Sequence, residues 1–259
     1  MNRLEQLLKL NHWLLSDMPQ YQKQAVGFSK NEQEQWQLFR SLVNVREPKP
    51  VSKDFLKLQD DFLKNEICHK GITDISDLTP VQDRIFLWQG DITTLRVDAI
   101  VNAANSGMTG CYFPCHSCID NAIHTFAGIQ LRLECAEIMK QQGGVEPTGS
   151  AKITKSYNLP CEYVIHTVGP IISGYPTHED CSLLSSCYSS CLELARNNRL
   201  HSISFCCIST GEFHFPNDKA AEIAVKTVKN YLSVNKEMKV VFNVFRDRDL
   251  KIYQQLLLH

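Results

Sequence analysis

The sequence carries almost no net charge and has no long apolar run, and both absences narrow its function. With 27 Lys+Arg against 28 Asp+Glu residues, the formal net charge is -1. This balance excludes a global attraction to nucleic acid or to an anionic membrane. The polar N-terminal segment has no stretch typical of a signal peptide or a membrane-spanning helix. We therefore expect a cytoplasmic protein with neither nucleic acid nor membrane among its partners.

Internal repeats, low-complexity tracts and the common nucleotide-binding motifs are absent as well. The segment 209–216, Ser-Thr-Gly-Glu-Phe-His-Phe-Pro, follows an apolar strand pattern and precedes a helical one. It has neither the Lys-Ser/Thr of a P-loop nor the three spaced glycines of a dinucleotide fingerprint. Backbone N–H groups near a helix start can nevertheless hold a diphosphate. From this segment alone, a plain turn is an equally good interpretation.

Cysteine, by contrast, is plentiful, since the chain contains 11. Most of them lie in apolar or helical patterns: Cys135, Cys187 and Cys191 in helices, and Cys206 and Cys207 in a strand. Buried reduced thiols behave as small apolar side chains, and an odd count argues against a disulfide framework. The cysteine pattern therefore favours a reducing compartment.

One segment concentrates three thiols and an imidazole. It runs Cys111-Tyr-Phe-Pro-Cys-His-Ser-Cys118, and Asp120 follows it. Zinc takes thiolate and imidazole ligands, and a catalytic zinc keeps three protein ligands and one open position. We predict Cys111, His116 and Cys118 as the ligands, with Cys115 as the spare thiol. A redox or disulfide pair and unliganded thiols are the alternatives.

The pattern of apolar residues predicts helices first and an α/β alternation afterwards. Residues 1–78 are predicted as a helical N-terminal extension and residues 79–259 as the main domain. Predicted helices of the extension cover residues 3–16, 31–45 and 53–64. Predicted strands of the main domain cover residues 85–88, 99–102, 151–154, 163–168, 203–208 and 240–245, and predicted helices cover residues 119–141, 180–197, 218–233 and 249–258. This alternation indicates a sheet with helices on both faces.

Five segments of the main domain resemble, in order, the motifs of the macrodomain, an ADP-ribose-binding module. They are Gln89-Gly-Asp-Ile-Thr93, Val97-Asp-Ala-Ile-Val-Asn-Ala-Ala-Asn-Ser106, Ile119-Asp-Asn-Ala-Ile-His124, Tyr163-Val-Ile-His-Thr-Val-Gly-Pro170 and Ile208-Ser-Thr-Gly-Glu-Phe213. The resemblance implies a three-layer α/β/α fold with a mixed central sheet.

Among macrodomains, the chain is most similar to the MacroD-type hydrolases, but the cysteine segment replaces their glycine-rich tract. That departure and the helical extension are similar to zinc-dependent macrodomains encoded beside a sirtuin-like ADP-ribosyltransferase and a glycine-cleavage H-like lipoyl carrier protein. The resemblance implies a Zn2+-dependent hydrolase that removes mono-ADP-ribose from aspartyl or glutamyl side chains, with the mono-ADP-ribosylated lipoyl carrier protein as substrate. The alternative is a reader module that binds ADP-ribose without turnover and carries a structural zinc.

The resemblance also implies a role for individual residues. Asp120 would activate water, and Asn105 and Asn102 would reach the distal ribose. Asp91 and Ile92 would contact adenine, on which Phe245 would stack. The diphosphate would lie against Ser209, Thr210, Gly211, Glu212 and Phe213, with the Glu212 side chain directed to solvent.

Several of these residues have a structural interpretation of equal standing. Asp91 is also a candidate turn cap, Phe245 a candidate core aromatic and Asn102 a strand-end residue that bonds its own loop. We interpret His124 and His166 as hydrogen-bonded core histidines. The apolar stripes of the extension are interpreted as a face that packs on the main domain.

Overall fold

A computed structural model describes residues 1–258, and a seven-stranded mixed sheet lies at its centre. The order of the strands in this sheet is β2-β3-β9-β8-β5-β7-β6. The five inner strands run parallel, and β2 and β6 are antiparallel edges. Strands β1 and β4 form a separate short pair. The strands are β1 Thr73–Asp74, β2 Pro80–Gln82, β3 Ile85–Gln89, β4 Leu95–Arg96, β5 Ala99–Ala104, β6 Ala151–Lys155, β7 Tyr163–Val168, β8 Ser202–Phe205 and β9 Lys239–Val244.

Helices cover both faces of the sheet, as the sequence predicts. Helices α7, α8 and α9 pack side by side on one face, and α5 and α6 lie on the other, where α3 and α4 of the extension contact α5. This is the three-layer α/β/α arrangement that the sequence resemblance implies, with an added helical layer. The helices are α1 Arg3–Asp17, α2 Gln22–Ala25, α3 Glu32–Val45, α4 Lys53–Lys70, α5 Ile119–Ala127, α6 Ile129–Gln142, α7 His178–Asn197, α8 Asn217–Val234 and α9 Asp247–Leu258.

Three predicted elements differ from the structure by a break or by more than two residues. The helix predicted over residues 53–64 continues to Lys70. The helix predicted over residues 119–141 is broken at Gly128, whose φ of 95° lies outside the helical region. The strand predicted over residues 203–208 ends at Phe205, its last paired residue. Residues 206–208 were predicted as strand because they are apolar, although they do not pair with the sheet. Their apolar character reflects burial rather than strand pairing.

The extension packs on the main domain through an aromatic cluster, which we define as Trp36, Phe39, Phe62 and Phe126. The first three residues belong to the extension and Phe126 belongs to α5. Trp36 lies 5.9 Å from Phe62 and 5.7 Å from Phe126 between ring centroids. Buried side chains of both parts form one continuous hydrophobic core. The interpretation of the apolar stripes as a packing face is therefore confirmed.

Within residues 1–258, no helix is both long enough and apolar enough to span a lipid bilayer.

Candidate functional site

The loop between β5 and α5 brings the three predicted metal ligands together. The ligand atoms of Cys111, His116 and Cys118 all lie within 4.8 Å of one another. The Cys111 Sγ is 3.7 Å from His116 Nδ1. Cys118 also begins α5, where its sulfur accepts a hydrogen bond from the Asn121 N–H. Burial raises the pKa of the Cys118 thiol to about 12, and nearby Cys111 adds to this effect. A bound metal ion would have the opposite effect on this pKa, because it stabilises the thiolate directly.

The other ring nitrogen of His116 faces the loop that follows β8. Its Nε2 lies 3.6 Å from a carboxylate oxygen of Glu212, on the loop that follows β8. Glu212 is exposed, as expected from its charge, but its carboxylate contacts the candidate ligand. Carboxylates in this position commonly orient metal-bound histidines.

Cys115 belongs to the same loop but is turned away from this group. Its backbone has a left-handed φ of 54°. Its sulfur lies 3.3 Å from the Ser41 hydroxyl and 3.5 Å from the backbone oxygen of Gln37, both on α3. The third thiol of the segment therefore faces the extension rather than the candidate ligands.

Asp120 is held in a buried network beneath the loop. One carboxylate oxygen accepts from the Asn102 amide at 2.8 Å, and the other accepts from the Asn105 amide at 3.3 Å. Burial raises the pKa of Asp120 to about 6, although the hydrogen bond from Asn102 and the positive charge of Arg132 oppose the shift. The carboxylate therefore has a proton affinity suited to exchange with water near neutral pH.

Asn102 lies behind Asp120 rather than on the cleft surface. Its side chain is fully buried, and its second amide proton reaches His166 Nδ1 at 3.1 Å. The opposite nitrogen of His166 donates to the Thr154 hydroxyl at 2.9 Å. This chain of hydrogen bonds orients Asp120 from within the core. It agrees with the interpretation of His166 as a hydrogen-bonded core histidine. Asn102, in contrast, bonds α5 and β7 rather than its own loop.

The prediction for His124 was wrong in one respect. His124 is buried, but within residues 1–258 neither ring nitrogen has a hydrogen-bond partner. Its Nε2 lies 3.5 Å from Asp120, and burial lowers its pKa well below the ordinary value. Gly110 packs directly on this ring at a φ of 84°, and a Cβ at that position would come within 2.7 Å of the ring. Only glycine therefore fits the loop at residue 110.

The loop that follows β8 presents unpaired backbone donors. Among the described residues, the N–H groups of Ser209, Gly211, Glu212 and Phe213 donate to no protein acceptor. Ser209 has a left-handed φ of 64°. Unpaired N–H groups just before a helix start are suited to bind an anion.

Asp91 and Phe245 lie after the adjacent strands β3 and β9. Phe245 is 74% exposed, so it is not a core aromatic. The side chain of Ile92 is buried in the core. One oxygen of Asp91 caps the turn at Thr93, and the other accepts from Lys70 of the extension at 2.8 Å. Burial opposes the charged form of Asp91, but hydrogen bonds from Lys70 and Thr93 outweigh it and lower the pKa.

Comparison with known proteins places this arrangement in a family. The family model described as Macro domain matches residues 101–224. A Treponema medium protein named protein-ADP-ribose hydrolase is 56% identical over 99% of this chain and 100% of its own length. The chain belongs to the macrodomain family.

Solved macrodomains share the fold as well as the sequence pattern. An Oceanobacillus iheyensis macrodomain variant with ADPR is 38% identical, with a TM-score of 0.63 over 70% of this chain and 95% of that one. A Trypanosoma brucei macrodomain in complex with ADP is 30% identical, with a TM-score of 0.65 over 85% of this chain and 95% of that one. The macrodomain fold that the sequence predicts is therefore confirmed.

Sequence reasoning missed the residues by which the extension supports the site of this macrodomain. Arg40, Ser41 and Asn44 on α3 contact the loop between β5 and α5, and Lys70 at the end of α4 contacts Asp91. Lys70 and Asp91 are 21 residues apart, and Arg40 and His116 are 76 residues apart. A polar residue on a helix gives no local signal of such a contact, because any exposed helix face is polar.

Proposed function

We propose that this macrodomain hydrolyses the bond between ADP-ribose and a modified protein, with a zinc ion held by Cys111, His116 and Cys118. The observation that carries the proposal is the convergence of these three side chains on the loop that leads to Asp120. The name of the Treponema medium relative, protein-ADP-ribose hydrolase, supports the reaction class over the full length of the chain.

The donor set suits zinc in chemistry and in spacing. In a tetrahedral shell, a Zn–S bond near 2.3 Å and a Zn–N bond near 2.0–2.1 Å place the sulfur and the nitrogen roughly 3.5–3.6 Å apart. The separation of 3.7 Å between Cys111 Sγ and His116 Nδ1 is close to this distance. Three protein ligands would leave one position open, as in catalytic zinc sites.

Zinc, when bound, supplies a Lewis acid that polarises oxygen atoms of substrate or water. Asp120 accepts the proton of the water that attacks the ester linkage. Asn102 and Asn105 hold its carboxylate in place. The unpaired N–H groups of Ser209, Gly211, Glu212 and Phe213 bind the diphosphate. Phe245, whose ring is exposed, stacks on adenine.

The finer substrate assignment rests on the family resemblance. We propose that the bond cleaved is an aspartyl or glutamyl ester of mono-ADP-ribose. The modified substrate protein would be a lipoyl carrier protein in the cytoplasm. A sirtuin-like ADP-ribosyltransferase would install the group. Release of ADP-ribose from a modified lipoyl carrier protein, compared with a serine-linked substrate, tests this assignment. Equal turnover of both substrates would contradict the preference for esters.

The central experiment measures zinc content and ADP-ribose release for the wild type and Cys118→Ala. Cys68→Ala is the matched control, because Cys68 is an exposed thiol on α4 outside the site. We expect zinc near one equivalent and turnover in the wild type and the control, and loss of both in Cys118→Ala. A wild type that turns over without zinc would refute the metal assignment.

The second candidate function is a reader that binds ADP-ribose without turnover. The commitment of both Asp120 oxygens to asparagine side chains is the observation that favours it, since a fully hydrogen-bonded carboxylate can serve structure alone. Zinc binding with tight ADP-ribose binding, but no hydrolysis of any ester-linked substrate, would establish the reader.

A further inference from the structure

We infer that helix α3 of the N-terminal extension positions the candidate ligand loop, so that residues 111–118 are ordered before a metal binds. The inference rests on the proposed function only in one respect, namely that zinc is the ion the loop would bind. The positioning residues are Arg40 and Asn44, assisted by Ser41 and by Arg132 of the main domain.

Arg40 holds the C-terminal half of the loop. Its guanidinium donates to the backbone oxygen of His116 at 2.7 Å and to the Asn121 side chain at 2.8 Å. Asn121 in turn donates to the backbone oxygen of Phe113 at 3.0 Å. One planar group thus fixes the backbone at the imidazole ligand and the start of α5. A lysine, with a single ammonium, cannot reproduce this forked geometry.

Ser41, next to Arg40, and Asn44, one turn further along α3, hold the middle of the loop. The Asn44 side-chain oxygen accepts the Cys115 N–H at 2.9 Å, and its amide donates to Thr125 of α5 at 3.0 Å. The Ser41 hydroxyl contacts the Cys115 sulfur at 3.3 Å. Cys115 is the residue with the left-handed backbone, so these contacts stabilise the strained point of the loop.

Arg132 holds the N-terminal end of the loop and ties it to the same helix. Its buried guanidinium donates to the backbone oxygens of Asn44 and Arg46 at 2.6 and 2.7 Å, where α3 ends. It also donates to the backbone oxygen of Cys111 at 3.3 Å and lies over the Tyr112 ring at 4.2 Å. The Arg132 guanidinium therefore links the end of α3 to Cys111, the first candidate ligand.

Together these contacts fix the backbone at the beginning, the middle and the end of the loop, and all of them reach α3 or its C-terminal end. None of them uses a ligand side chain, so none depends on metal. A loop ordered in advance avoids the entropy cost of ordering when the ligand arrives. Groups that orient metal ligands commonly change metal affinity by 10–100-fold when removed.

The test is hydrogen exchange of the peptide covering residues 111–118 in the metal-free full-length protein. We expect slow exchange in the wild type and at least tenfold faster exchange in Arg40→Ala, with Arg40→Lys intermediate. Arg3→Ala is the matched control, because Arg3 makes a bidentate pair with Glu66 inside the extension and does not touch the loop. Peptides from β5 and β7 that remain protected show that each variant is folded.

Equal exchange of the loop in wild type, Arg40→Ala and Arg40→Lys would overturn the inference, as would a wild-type loop that exchanges at the rate of an unfolded chain. A second measurement titrates zinc against a chromophoric chelator. We expect zinc affinity to fall about tenfold or more in Arg40→Ala and to stay within about twofold of the wild type in Arg3→Ala. A wild type that binds no zinc would refute the proposed metal site, while the exchange measurement still decides the inference.

Discussion

Replacing Phe62 by alanine tests whether the extension and the macrodomain fold as one unit. Phe62 is 1% exposed, and its ring lies 5.6 Å from Phe39 and 5.9 Å from Trp36. Trp36 in turn contacts Phe126 of α5. Removing a buried phenyl ring costs roughly 3–5 kcal/mol, because the cavity fills only partly. We expect the upper half of that range, since two aromatic contacts are lost as well.

Thermal or denaturant unfolding followed by both tryptophan fluorescence and far-UV circular dichroism provides the assay. Two of the three tryptophans, Trp13 and Trp36, lie in the extension, whereas Trp88 lies in β3. A loss of about 4–5 kcal/mol, at about 2–4 °C per kcal/mol for a chain of this size, should lower the midpoint by roughly 8–20 °C, with both signals still coincident. Val26→Ala, at a residue that is 85% exposed, should change the stability by less than about 0.5 kcal/mol.

The reasoning would be refuted by a loss below about 1 kcal/mol in Phe62→Ala, which is less than a buried ring should cost. It would also be refuted by a fluorescence transition that precedes the loss of circular dichroism. The second result would mean that the extension unfolds by itself and that the shared core does not couple the two parts.

Three further predictions concern the site. Asp120→Asn should lower turnover by about 10²–10⁴-fold, the usual contribution of a positioned acid–base group. The ADP-ribose affinity measured by calorimetry should stay within several-fold of the wild type. Unchanged turnover would show that Asp120 takes no part in the reaction. Phe245→Ala should weaken ADP-ribose binding by about 1–3 kcal/mol, the usual value for base stacking on an aromatic ring. Phe245→Tyr should bind ADP-ribose as tightly as the wild type. Equal binding by all three proteins would show that the exposed ring does not contact the base. Gly110→Ala should reduce zinc affinity, since its Cβ would meet the His124 ring at 2.7 Å. Gly144→Ala is the control, because a Cβ there meets nothing within 4 Å. Equal zinc affinity of the two variants would contradict the packing argument.

The fold was largely accessible from the sequence because each inner strand is an apolar run between helical patterns. Strand β5 illustrates this, since its residues are buried between two helical layers in a parallel sheet. The break at Gly128 was not predicted, because the apolar spacing continues through it into α6. Edge strand β2 was also missed, since its three residues are too few to show an alternating pattern.

The candidate site was accessible only in part. Spacing and chemistry singled out Cys111, His116 and Cys118, and the structure brings their ligand atoms together. The support from Arg40 could not be predicted, because its hydrogen bond to His116 joins residues 76 positions apart and has no periodic signature. The exposure of Phe245 was likewise open, because an aromatic residue at a strand end serves equally well in a core or on a surface.

The dependence of the ligand loop on α3 has a consequence for transplanting this site into other macrodomains. A graft of residues 111–118 alone would carry the candidate sulfur and imidazole ligands but leave behind the acceptor for the Cys115 N–H and the donor to the His116 backbone oxygen. The left-handed Cys115 would then lack the contacts that hold it. The smallest exchangeable unit is therefore the loop together with the helical layer, two segments distant in sequence that must be inherited or engineered as a pair.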